Sequence, residues 1–125
     1  MPAGWTFAIG VSGVHAAKGG AVQEHYNGLA RQLALLLAEW RTLTGTPTES
    51  LLDVLDAGPT GLDALRAAMR RAHPDEAEAL IARLGQFTEE CQSIIPAVTA
   101  ALRRGAPEEI GELVDRSQAL AESVL

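Results

Sequence analysis

The chain has 125 residues, 16 of them acidic and 10 basic, for a net charge of −6. That length allows one domain with a real core and not two, and an apolar fraction of 47% excludes a disordered chain. Basic side chains never cluster beyond Arg70-Arg71 and Arg103-Arg104, which argues against nucleic acid and anionic membranes as partners, since both need concentrated Lys and Arg.

The chain opens on an apolar, glycine-broken run. Phe7, Ile9 and Val11 alternate at period two, the pattern of one short β-strand. Gly13, Gly19 and Gly20 then mark turn or loop. Apolar positions switch to helical spacing at Tyr26, Leu29, Ala30, Leu33, Leu36, Leu37 and Trp40, which predicts a helix from about Ala21 to Leu43 that stops near Gly45 and Pro47. Thr48 is placed to cap a short helix over Glu49 to Leu55. Asp56-Ala57-Gly58-Pro59 breaks it, and Thr60 is placed to cap the next, over Gly61 to Ala72, with Leu62, Leu65, Ala68 and Met69 inward. His73-Pro74 ends that helix, because the residue before proline avoids the α region.

The longest predicted element runs from near Asp75 to Arg104. Leu80, Leu84, Phe87, Cys91, Ile94, Ile95, Val98 and Leu102 recur along it at threes and fours. Pro96 lies inside, removing a backbone donor and crowding the preceding turn, so a kink is expected there. Gly105 closes the helix. Pro107 and Glu108-Glu109 suit the start of a last helix, with Ile110, Leu113, Val114, Leu120 and Val124 as its buried stripe. The expected fold is mainly α with one N-terminal β-strand, an α+β arrangement with four or five helices. It forms a single domain over 1–125, with strand and glycine loop over 1–20 and a helical region over 21–125.

A lone strand has nothing in its own chain to ladder with, so self-association through that strand is expected, or through the helices' apolar faces. Cys91 is the single cysteine, which excludes an intramolecular disulfide and a cysteine-rich zinc site and fits a reducing cytosol. No charged region followed by a long apolar run opens the chain, and no stretch is long and apolar enough for a membrane span. A cytoplasmic location is therefore expected. His15 and His25 have no matched third ligand. Gly19-Gly20 is too short a glycine pattern for a phosphate cradle, and Lys18 beside it reads as solvated. Glu89-Glu90 and the acidic residues at Asp63 and Asp75-Glu76-Glu78 read as solvated charge on polar helix faces.

Several segments together resemble the middle of galactokinase-like sugar kinases of the GHMP superfamily. The first is Ile9-Gly10-Val11-Ser12-Gly13-Val14-His15, followed by Glu24, Tyr26-Asn27 and Arg31. In the family a strand ending in a serine-containing turn leads to a tyrosine that opens a long helix. Ser50-Leu51-Leu52-Asp53-Val54 resembles the short S-L-R-D-V element after that helix. Arg83, Gln86 and Glu90 fall where the family carries arginine, histidine and glutamate. Ala101-Leu102-Arg103-Arg104-Gly105, then Gly111-Glu112-Leu113-Val114 and Ser117-Gln118, resemble the A-L-x-x-G-D segment and the G-x-L-M-x-x-S-H segment after it. Gln86 and Gln118 stand where the family has histidine, which points to a divergent relative.

The resemblance implies part of a kinase C-terminal lobe, from an enzyme that passes a phosphoryl group from MgATP to a sugar. It implies Tyr26, Ser12 and Gly13 as sugar-contacting residues; Tyr26 also reads as the first residue of its helix's apolar face, and Ser12-Gly13 as a plain turn. The family's phosphate loop and catalytic aspartate lie upstream of the matched segments and its late glycine-rich segment downstream. ATP and Mg are thus expected for the intact enzyme and not from residues of this chain, which would have no turnover of its own. The alternative is a non-enzymatic helical module that self-associates.

Overall fold

A computed structural model describes residues 6, 8–11, 13 and 20–124, and the side chains of the first helix from Asn27 onward. The described residues are mainly helical. Helix α1 spans Ala21–Thr44, α2 Leu51–Leu55, α3 Gly58–Ala72, α4 Ala77–Glu89, α5 Ile95–Arg104 and α6 Ile110–Val124. A π-helical turn, Glu90–Ile94, makes α4 and α5 one continuous rod, and a 3₁₀ turn, Pro107–Glu109, leads into α6.

Local chemistry sets the helix ends. Gly45 adopts the left-handed conformation (φ 67) and its N–H donates to the Arg41 carbonyl, closing α1 as its sequence position predicts. Gly105 (φ 71) closes α5 in the same way. Two starts differ from expectation. Ser50, not Thr48, caps the short helix: Ser50 Oγ accepts from the Leu52 N–H and the Asp53 carboxylate accepts from the Ser50 N–H, both at 3.1 Å. This reciprocal box satisfies two otherwise orphaned donors, whereas Thr48 is buried and its carbonyl accepts from Arg41 Nε at 2.6 Å. Helix α3 begins at Gly58 rather than after Thr60, because Pro59 in the first turn gives up a donor that has no intrahelical acceptor there anyway.

Pro96 acts through the π turn that precedes it. It has no N–H to donate and its ring crowds the carbonyl one turn back. The Ile95 N–H reaches five residues back to the Glu90 carbonyl, the wider spacing of a π bulge.

Helices α1, α2, α3 and α4 share one core. Leu36 and Trp40 from α1, Leu51, Val54 and Leu55 from α2, Leu62, Leu65 and Met69 from α3, and Leu80 and Leu84 from α4 form a single buried cluster. With so few aromatic residues, leucine supplies most of its volume. Leu62, Leu65, Ala68 and Met69 all face inward, as the spacing predicts. Helix α6 lies against α4, α5 and the π turn and buries no side chain fully. Its predicted stripe is half-buried at Ile110, Leu113, Leu120 and Val124, and Val114 is 55% exposed. Along α5 the inward face follows Ile94, Val98 and Ala101, leaving Ile95 (56% exposed) and Leu102 outside.

The predicted N-terminal strand is not formed. Residues 8–11 have no regular structure, and Ile9 and Val11 are 92% and 88% exposed. Phe7 lies outside the described residues. The physical reason is the absence of any ladder: among the described residues no second strand exists to take up the backbone donors and acceptors.

Gly61 is where α3 meets Trp40. A Cβ there would stand 2.5 Å from the Ala57 Cβ and 3.2 Å from Trp40 Cη2, too close for either to stay in place. Gly85 in α4 has open space at the same position, with nothing within 4 Å. Gly61→Ala should therefore destabilise by about 1–3 kcal/mol despite alanine's better helix propensity. Gly85→Ala should be neutral or stabilising by up to about 1 kcal/mol. Urea unfolding followed by circular dichroism measures both, and equal effects from the two substitutions would contradict this packing.

Candidate functional site

The polar residues that come together in this fold lie where α4, the π turn and α6 meet. Arg83, Gln86 and Glu90 follow one another at three and four residues, so they share one face of the rod. Arg83 donates to Gln86 Oε1, and Gln86 Nε2 donates to Glu90 Oε1 at 3.4 Å. From α6, Ser117 Oγ donates to the same Glu90 oxygen at 2.9 Å. Beside this chain the Arg116 guanidinium meets the Glu89 carboxylate. Two arginines and two glutamates leave the seam without net charge.

Gln86 is buried, so its amide depends on these partners; a buried polar group left unpaired costs about 1–3 kcal/mol. Arg83 Nε, Gln32 Oε1 and Glu89 Oε1 are buried without a hydrogen-bond partner among the described residues, and Glu89 Oε1 meets Arg116 as an ion pair only. Chemically the seam binds two helices and presents a carboxylate with a serine. Among the described residues no imidazole lies beside Ser117 to carry a proton, so these residues form no nucleophile–base pair. Among the described residues no three His, Cys, Asp or Glu side chains are grouped to hold a metal ion, and no helix is long and apolar enough to cross a membrane.

The sequence-derived sugar contacts are placed as follows. Tyr26 belongs to the opening turns of α1, and its side chain lies outside the described residues. Ser12 lies outside them too, as does Lys18. Gly13 is an exposed bend with φ 76 and open space around it, a backbone conformation that glycine adopts without strain. Arg31 makes an exposed ion pair with Glu76 at 3.1 Å, the kind that contributes little to stability. Ser50 and Asp53, matched to the short family-like element, form the capping box of α2. Gln118 bonds Glu122 along the exposed side of α6 and stays outside the seam.

Glu89 and Glu90 are the residues that sequence reasoning placed wrongly. They read as solvated charge and are in fact half-buried, each matched to a group on α6. The available signal was the three-and-four spacing of Arg83, Gln86 and Glu90, which puts three hydrogen-bonding side chains in one row. Their partners lie 27 residues away in the case of Ser117, beyond the reach of helical periodicity.

Two hollows border these elements. A groove of about 570 Å³ between α5 and α6 has Ala97, Ala100 and Leu113 on its floor and Arg104, Glu112 and Arg116 on its rim. A smaller one, about 280 Å³, lies among α1, α2 and α4, lined by Leu33, Leu37, Leu51 and Phe87 with Ser50 at its edge. The chain matches no protein-family model, no curated protein sequence and no solved structure.

Cys91 follows Glu90 in the π turn. Burial pushes its thiol pKa up, and the neighbouring Glu90 carboxylate raises it further. A raised pKa means less thiolate at neutral pH, and the thiolate is the nucleophile. Iodoacetamide should alkylate Cys91 more slowly than an unstructured cysteine peptide at the same pH. Glu90→Gln removes the second cause and should speed the reaction. Equal rates for the folded chain and the peptide would show that the site does not suppress the thiolate.

Proposed function

We propose that the chain is a helical segment of the C-terminal lobe of a galactokinase-like sugar kinase. In the intact enzyme a phosphoryl group passes from MgATP to a sugar hydroxyl, chemistry that rests on positioning and charge neutralisation around the nucleotide. These residues supply one wall of the sugar pocket through Tyr26, with Ser12 and Gly13 in the turn beside it. The phosphate loop and catalytic aspartate come from outside them, and so do the contacts to ATP and Mg. The setting is cytoplasmic.

The observation that carries this reading is the meeting of two family-like segments. Arg83, Gln86 and Glu90 come from one, Ser117 from another, and they share a hydrogen-bonded seam. Holding α4 against α6 with charged and polar groups is costlier than holding it with apolar ones of the same size. The seam fixes α6 in register, but that task alone does not call for arginine, glutamate and serine. The kinase resemblance does, because it expects those residue types at those positions.

A second reading, a helical module that self-associates without catalysis, is favoured by the exposed apolar side chains Ile95, Leu102 and Val114 on α5 and α6.

Ligand-observed NMR with galactose and related monosaccharides, on this chain and on Tyr26→Phe, separates the two. The kinase reading expects weak binding that Tyr26→Phe abolishes, and no sugar-dependent ADP release from this chain alone. No sugar signal from a folded chain, together with a dimer in sedimentation that Val114→Lys dissociates, would establish the module instead.

A further inference from the structure

Helix α6 is attached differently from the rest of the molecule. The buried core belongs to α1, α2, α3 and α4, while α6 has no fully buried side chain. Its larger apolar residues are half-buried apart from exposed Val114, and an open groove over Ala97 and Ala100 lies between it and α5. Beside these half-buried side chains, two polar contacts fix its register on the rod: Ser117 on Glu90 and Arg116 on Glu89. Both acceptors sit at the π turn, where the rod's hydrogen-bond ladder is already interrupted ahead of Pro96. The connection to α5 runs through Gly105, in the left-handed conformation, then Ala106 and Pro107. That corner is tied only locally, by the Ala106 N–H on the Ala101 carbonyl, the Glu109 N–H on the Ala106 carbonyl and the exposed Arg104–Glu109 pair at 2.6 Å, so a swing there costs these few contacts and none inside α6.

We propose that α6 is a hinged strap. It opens as a unit about the corner at 105–107 while α1, α2, α3 and α4 stay folded, and the Glu90–Ser117 and Glu89–Arg116 contacts are its latch. Opening releases the Glu89 and Glu90 carboxylates together, so the strap controls access to that end of the polar seam. A segment with no fully buried side chain, tied by two contacts to half-buried carboxylates, belongs to the low-stability end of a fold and opens below the global unfolding free energy. The inference stands on packing alone and is independent of the kinase reading.

Native-state hydrogen exchange with mass spectrometry on the full chain tests it. Peptides covering 110–124 should exchange earlier than those covering Leu36, Leu65 and Leu80, through an opening that low urea hardly changes. Glu90→Gln and, separately, Arg116→Ala should each speed exchange in 110–124 and leave the core peptides unaltered. Glu90→Gln keeps an acceptor oxygen for Ser117 and loses the charge, so the expected factor is about fivefold, the difference between a charge-assisted and a neutral hydrogen bond. Arg116 is exposed, so its substitution keeps the test available if Glu90→Gln does not fold. Exchange of 110–124 in step with the core, with the same urea dependence, would overturn the strap. Early exchange that ignores both substitutions would overturn the latch.

Discussion

The close packing of α1, α3 and α4 around Leu36, Leu65, Met69, Leu80 and Leu84 is what the remaining structure rests on. All five side chains are fully buried, and each leucine or methionine buried this way contributes about 1.5–3 kcal/mol. Trp40 extends this core because Gly61 offers no side chain where its ring lies. Short α2 survives as a helix by adding Leu51, Val54 and Leu55 to the same cluster, since five residues have little helical stability alone. The surface ion pairs between these helices, Arg31–Glu76 and Arg70–Glu78, are solvated and secondary.

Against that apolar half stands a polar one. From Glu89 onward the rod turns Ile94, Val98 and Ala101 inward, and its links to α6 combine half-buried apolar side chains with one hydrogen bond and one ion pair. Pro96 is central to this contrast. By withholding one N–H it favours the π turn, whose wider spacing carries Glu90 and Cys91 at the meeting point of the rod and α6. The raised thiol pKa of Cys91 is a consequence of the same placement, with burial first and the carboxylate second.

The helical half of the fold was largely legible. Gly45, Gly105 and Pro107 each ended or opened a helix where the sequence put them, and the spacing of Leu62, Leu65, Ala68 and Met69 named the inward face of α3. The strand expected over Phe7 to Val11 is absent at residues 8–11, because period-two alternation describes a half-buried surface only when a sheet exists to bury it. Thr48 and Thr60 were misread as caps because a hydroxyl before an apolar run is a necessary sign and not a sufficient one. Ser50 won through its reciprocal partner Asp53, and Pro59 moved the start of α3 forward. Of the candidate site, the row Arg83, Gln86 and Glu90 was visible and its purpose was not.

What the sequence by itself determined are features whose causes act within one or two turns: the helix ends at Gly45 and Gly105 and the inward leucine face of α3. These depend on backbone sterics and periodicity, which neighbouring residues supply in full. Only the tertiary structure decided which charges would be buried and which apolar residues would be left out. Glu89 and Glu90 met Arg116 and Ser117, Val114 stayed in solvent, and residues 8–11 remained without a ladder. Each of those outcomes needs a partner distant in sequence, and burial is a property of the pair.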